Sequence, residues 1–340
     1  MLFAQTIRTD SSPRGYSESA FAHLDRSARD ECKAIRLLIE NWYSRVPESG
    51  RYEFKKRFTS GNDSAFHSAF LELYIHELLL KTGHHVLFHP DVPESTKRPD
   101  FLATDASGHE TIIECTVASE ESDSERAANA RLRTLYDSIS QVTCDDVFLD
   151  LRICGVLASP APARKWRSQI QQWIDSLDYE SLLAMGPNPN DFDLPQLVLE
   201  HDGLILEIKP IPKKRQARGK GPPVIGVESF EATIVTSHVK IRETIRDKAG
   251  RYGNLGRPFV LVVNCIGAHA VDDEIHAAMF NDTGSWRIGA KAYTRLSAVL
   301  AVQHLFPWSI HAAVPVLYHN PHAAFPYSGE LAKFQHASPP

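Results

Sequence analysis

The order of local signals across residues 59–118 constrains this chain more than anything else in it. The polar run Thr-Ser-Gly-Asn-Asp-Ser at 59–64 is a turn and helix-start signal; residues 65–81 are rich in helix formers, and Gly83 stops the helix. Short strand-forming runs follow at 85–88, 100–103 and 111–118, the last two joined by the turn-forming segment TDASGHE. The order is helix, strand, hairpin. Side chains alternate faces along a strand, so Ile113, Cys115 and Val117 point one way while Glu114 and Thr116 point the other. Asp100 opens the preceding strand just after Pro99, and a hairpin brings it close to Glu114. Two converging carboxylates supply the oxygen ligands that Mg2+ or Mn2+ takes, commonly together with waters and substrate phosphate. A metal held there can activate water and offset charge at a phosphodiester.

Around this segment the chain reads as α/β or α+β. Apolar residues at helical spacing (Ile35, Leu38, Ile39, Trp42) predict a helix over 28–43, behind a polar arm at 1–20 that is expected to be loose. An acidic stretch opens a helix running to 139, and residues 147–157 alternate like a half-buried strand that continues the sheet. After the Pro-rich break SPAPA come a helix near 166–183 and a hairpin turning at Asp202-Gly203, the favoured two-residue turn. Residues 239–252 read as a helix ended by Gly253, and PFVLVVN at 258–264 is a continuous apolar run typical of a central strand. The predicted organisation is an N-terminal helical arm at 1–60, a core at 61–270 carrying an insertion around 160–235, and a C-terminal extension at 271–340 packing on that core.

Composition narrows the partners. The 340 residues are 43% hydrophobic and carry a formal charge of -5, so any nucleic-acid surface must be local. The best local candidate is the run Lys213, Lys214, Arg215, Arg218 and Lys220, five cations in eight residues among glycines and prolines, expected to be exposed and mobile and to contact phosphates. Five scattered cysteines, never in CxxC spacing, suit a reducing cytoplasm, and no stretch approaches the roughly 18 apolar residues of a membrane span. No GxGxxG, GxxxxGK or GxSxG motif points to a nucleotide or serine-hydrolase site. His76, His84, His85 and His89 lack zinc-site spacing and read as solvent-exposed.

The motifs RPD at 98–100 and IIECT at 112–116 resemble the bipartite signature of the PD-(D/E)XK nuclease superfamily, over about residues 66–119. The resemblance implies a restriction-endonuclease-like mixed sheet core flanked by helices, with Asp100 and Glu114 as ligands of Mg2+ or Mn2+. It implies hydrolysis of nucleic acid, DNA before RNA; a homodimer is compatible with it. Thr116 departs from the pattern, standing where the family normally has a lysine that orients or activates water. Lys248 is the best relocated lysine: Ile241, Ile245, Lys248 and Tyr252 share one helix face, similar to the Gln-x-x-x-Tyr helix of some branches. Lys97 is the runner-up. Many members also place an acid on the first helix, here Glu72 or Glu77. The alternative implied by Thr116 is a catalytically inactive binding or assembly module.

Overall fold

The computed structural model describes residues 1–93, 95–119, 121–185, 194–219, 225–229, 237–267, 271–286, 293–329, 331 and 335–337. The chain is mixed α/β and divides into two compact units: Met1–Pro13, Ser19–Glu120 and Val235–Pro340 form the first, Arg14–Glu18 and Glu121–Ile234 the second. Among the described residues no helix is long and apolar enough to cross a membrane.

The first unit begins with helices α1 (Ala20–Arg26), α2 (Asp30–Ser44), α3 (Glu48–Phe58) and α4 (Asp63–Lys81), followed by β1 (His85–Phe88), β2 (Phe101–Thr104) and β3 (Glu110–Ser119). The helix α4 starts where the sequence predicts because Asn62 caps it, its side-chain oxygen accepting from the amides of Ser64 (2.8 Å) and Ala65 (3.3 Å). The second unit supplies α5 (Asp123–Ile139), β4 (Val147–Cys154), α6 (Ala163–Asp175), α7 (Tyr179–Met185), β5 (Leu197–His201), β6 (Leu204–Pro212) and β7 (Ile225–Ser229). The chain then returns to the first unit with α8 (Ser237–Ala249), β8 (Phe259–Ile266), α9 (Asp272–Phe280), β9 (Ala298–Gln303), β10 (Val316–His319) and β11 (Gln335–Ala337).

Among the described residues of the first unit, seven strands pair in the order β1-β2-β3-β8-β9-β10-β11. The strands β1, β2 and β3 run antiparallel, and β3, β8 and β9 run parallel to one another. The apolar run of β8 is explained by burial on both faces. Its Val260 and Val262 join a cluster with Ile39, Phe66, Phe70 and Leu73 of α2 and α4, while Phe259, Leu261 and Val263 join Ile241, Ile245, Ile275 and Met279 of α8 and α9. The period-2 alternation thus places α1 to α4 on one side of the sheet and α8 and α9 on the other. In β3, Ile113 and Cys115 belong to the first cluster and Ile112 and Ala118 to the second.

Four expectations change. The N-terminal arm is tied down: Leu2 and Phe3 are buried, and their amides both donate to Glu40 Oε1, at 2.6 and 2.7 Å. The insertion begins at 121 rather than around 160, because α5 and β4 belong to the second unit; β4 sits in a separate four-stranded sheet, β5-β6-β4-β7, and does not continue the first. Residues after 271 do not merely pack on the core, since β9 pairs directly with β8 inside the sheet. The helix expected near 166–183 is two helices, α6 and α7. The Asp202-Gly203 turn is as predicted, with φ of 46° and 82° at its two central residues.

Candidate functional site

The antiparallel register pairs Phe101 with Ile113, which sets Asp100, the residue before β2, beside Glu114 and Cys115 of β3. Asp100 Oδ2 accepts from the Cys115 amide at 2.6 Å. The backbone amide of His89, a residue with left-handed φ of 46°, donates to the Asp100 carbonyl at 3.0 Å and ties the end of β1 to the start of β2. Burial and the nearby carboxylates of Glu72 and Glu114 hold the Asp100 carboxyl well above the ordinary carboxylate range. The same surroundings push the buried Cys115 thiol up, through desolvation first and then the three acids.

Glu114 is 3% exposed and would be costly to bury alone. It is met by three donors. Lys248 Nζ lies 2.8 Å from Oε1, Arg251 Nη1 lies 3.1 Å from the same oxygen, and the buried Tyr252 hydroxyl donates to Oε2 at 2.6 Å. Burial and this bond to a carboxylate raise the Tyr252 pKa, keeping the phenol protonated. The arrangement follows from α8: Ile241 and Ile245 anchor its apolar stripe in the core, and continuing that stripe brings Lys248 and Tyr252 to β3.

Glu72 and Glu77, both on α4, part company. Glu72 is gripped at both oxygens by Arg57 of α3, with Nη2 2.6 Å from Oε2. Glu77 instead pairs with Arg45 Nη2 at 2.7 Å and is not among the residues lining the cleft, so the acid that belongs with Asp100 is Glu72. A cavity of about 770 Å³ opens over these groups, lined among others by Arg57, Glu72, Arg98, Asp100, Glu114 and Lys248. Thr116 lines it too, so the position carrying threonine faces the cleft while the ammonium arrives from α8. Lys97 is exposed, and its neighbours Thr96 and Arg98 line the cavity.

Other candidates lie elsewhere. Lys213 is buried rather than exposed, its ammonium donating to the Cys144 carbonyl at 3.0 Å; Arg215 pairs with Glu180 and Arg218 Nε with Asp146 Oδ1 at 2.6 Å. Of the five cations expected to be exposed, Lys213 is therefore buried, Lys214, Arg215 and Arg218 are exposed, and Lys220 lies outside the described residues. His76 and His84 are buried, contrary to the expectation of exposed histidines, because His76 falls on the α4 face that packs against Phe88 and Phe101. Sequence reasoning missed Arg57 and Arg251. The first sits in the basic run Lys55–Arg57 at the end of a helix the sequence did not separate from the arm, and the second is one turn past Lys248.

No protein family, curated protein or solved structure matches this chain. Among the described residues no group of three or more His, Cys, Asp or Glu side chains is arranged to hold a metal ion. A hard divalent cation commonly takes fewer, one or two carboxylates together with waters and substrate phosphate.

Proposed function

We propose that this chain is a divergent PD-(D/E)XK nuclease, hydrolysing phosphodiester bonds of nucleic acid with Mg2+ or Mn2+ held by Asp100 and Glu114. The observation that carries the reading is the 2.8 Å approach of the Lys248 ammonium to Glu114 from a helix 134 residues further along the chain. It is supported by the order α4, β1, β2, β3, α8, β8, with β8 parallel to β3, which is the arrangement a restriction-endonuclease-like core has once the second unit is set aside. A bound divalent cation supplies Lewis-acid polarisation of the phosphate and a more acidic water. The protein residues do the rest. Lys248 takes the part of the lysine missing at 116, holding a positive charge beside the reacting phosphate and a proton donor at Nζ. Tyr252 fixes the Glu114 carboxylate through Oε2, and Arg98, whose pairing with Asp91 is at the exposed surface, lines the cavity as a cation for the substrate backbone.

A second reading has its own observation. Both Glu114 oxygens are already met by donors of the chain itself, which favours a nuclease-like binding module without catalysis. Incubating plasmid and single-stranded substrates with Mg2+, Mn2+ or a chelator separates the two. The enzyme reading expects metal-dependent cleavage by wild type that Glu114→Ala abolishes; binding without cleavage under every metal condition would favour the module.

A further inference from the structure

Glu114 is asked to serve as a metal ligand while three donors of its own protein hold it, and two of those donors, both cationic, share the single oxygen Oε1. A divalent ion placed on that oxygen meets two positive charges at contact distance, so one of them must leave. The structure distinguishes which. Tyr252 is buried and its oxygen bond is to Oε2, and the Lys248 side chain is 24% exposed, against 35% for Arg251. Arg251 also makes the longer contact and lies beyond the last residue of α8, with its amide donating to the Lys248 carbonyl at 3.1 Å and its side chain the more exposed of the two. Its guanidinium lines the cavity, and its planar fork suits a phosphate at least as well as a carboxylate.

Resting on the nuclease reading, we propose that Arg251 is a substrate-responsive gate on the cation site. Without nucleic acid it neutralises Glu114 and weakens metal binding. A backbone phosphate entering the cavity draws the guanidinium off Oε1 and frees the carboxylate. Metal and nucleic acid then bind cooperatively, and by linkage each raises the affinity of the other by the same factor. The device confines a competent site to the substrate-bound protein.

The test reads binding rather than turnover. Mn2+ affinity is measured by electron paramagnetic resonance for wild type, Arg251→Gln and Arg251→Lys, each with and without phosphorothioate-substituted DNA, whose backbone resists hydrolysis. Circular dichroism checks that each variant is folded. In the absence of DNA, Arg251→Gln should bind Mn2+ about tenfold more tightly than wild type, within the usual range of coupling between sites. DNA should tighten Mn2+ binding by a similar factor in wild type and leave Arg251→Gln unchanged, with Arg251→Lys retaining part of the coupling. Equal Mn2+ affinities in wild type and Arg251→Gln, both indifferent to DNA, would overturn the gate and leave the nuclease reading standing. No Mn2+ binding by any variant under any condition would overturn both.

Discussion

Lys248→Ala is expected to lower the rate of nucleic-acid cleavage by on the order of a hundredfold or more while leaving substrate affinity close to that of wild type. The expectation comes from position. The ammonium is 2.8 Å from Glu114 Oε1, at the wall of the cavity that also holds Asp100, and its helix is pinned by the fully buried Ile245. On the proposed nuclease reading, a charge so placed acts on negative charge that develops during phosphoryl transfer more than on the resting substrate, so its loss falls on the chemical step. The fold should survive, because Arg251 and Tyr252 still partner the Glu114 carboxylate. Single-turnover rates and dissociation constants for wild type, Lys248→Ala and Lys97→Ala decide the matter. Lys97, exposed beside the cavity, should be nearly silent. A rate that Lys248→Ala leaves intact and Lys97→Ala reduces would transfer the role to Lys97.

The second large effect is on stability. His76 is 2% exposed on α4 with its ring against Phe88 and Phe101, centroids 4.9 and 6.3 Å away, and burial lowers its pKa from 6.5 to about 4. Glu77 opposes the shift and Arg45 adds to it. The folded protein keeps the ring neutral where the unfolded chain takes up a proton. Stability from this residue is therefore full above 6.5 and is lost as pH falls toward about 4, by about 3 kcal/mol in all. Urea denaturation of wild type and His76→Leu across that interval should show the wild type losing stability more steeply by that amount. Parallel profiles would mean that the ring is protonated in the fold.

Local signals were legible where the answer is local. The helix α4 and strands β1, β2, β3 and β8 lie within a few residues of where caps, turns and periodicity put them, because those features are set by neighbours in sequence. What alternation does not carry is the identity of a strand's partner. The half-buried pattern of β4 is the same whether it extends the first sheet or builds a second one, and it builds the second. Likewise β9 is apolar enough to be a central strand, but only its pairing with β8 reveals that it is one. In the site, Asp100 and Glu114 could be brought together from hairpin register alone. Choosing Glu72 over Glu77 could not be done from α4, because what separates them is which arginine each meets: Arg57 from α3 for one, Arg45 from the end of α2 for the other. The burial of Lys213 was illegible for the converse reason, its partner, the Cys144 carbonyl, being distant in sequence.

The central claim is that Asp100 and Glu114 share a cation, and anomalous diffraction from crystals of the protein bound to phosphorothioate-substituted DNA and soaked in Mn2+ tests it most directly. One manganese peak is predicted, bound by both carboxylates, with Arg251 displaced from Glu114 Oε1 and Tyr252 still on Oε2; Asp100→Asn crystals treated the same way should lack it. Crystals that show no manganese at this position, with Lys248, Arg251 and Tyr252 all still bound to Glu114, would contradict the account.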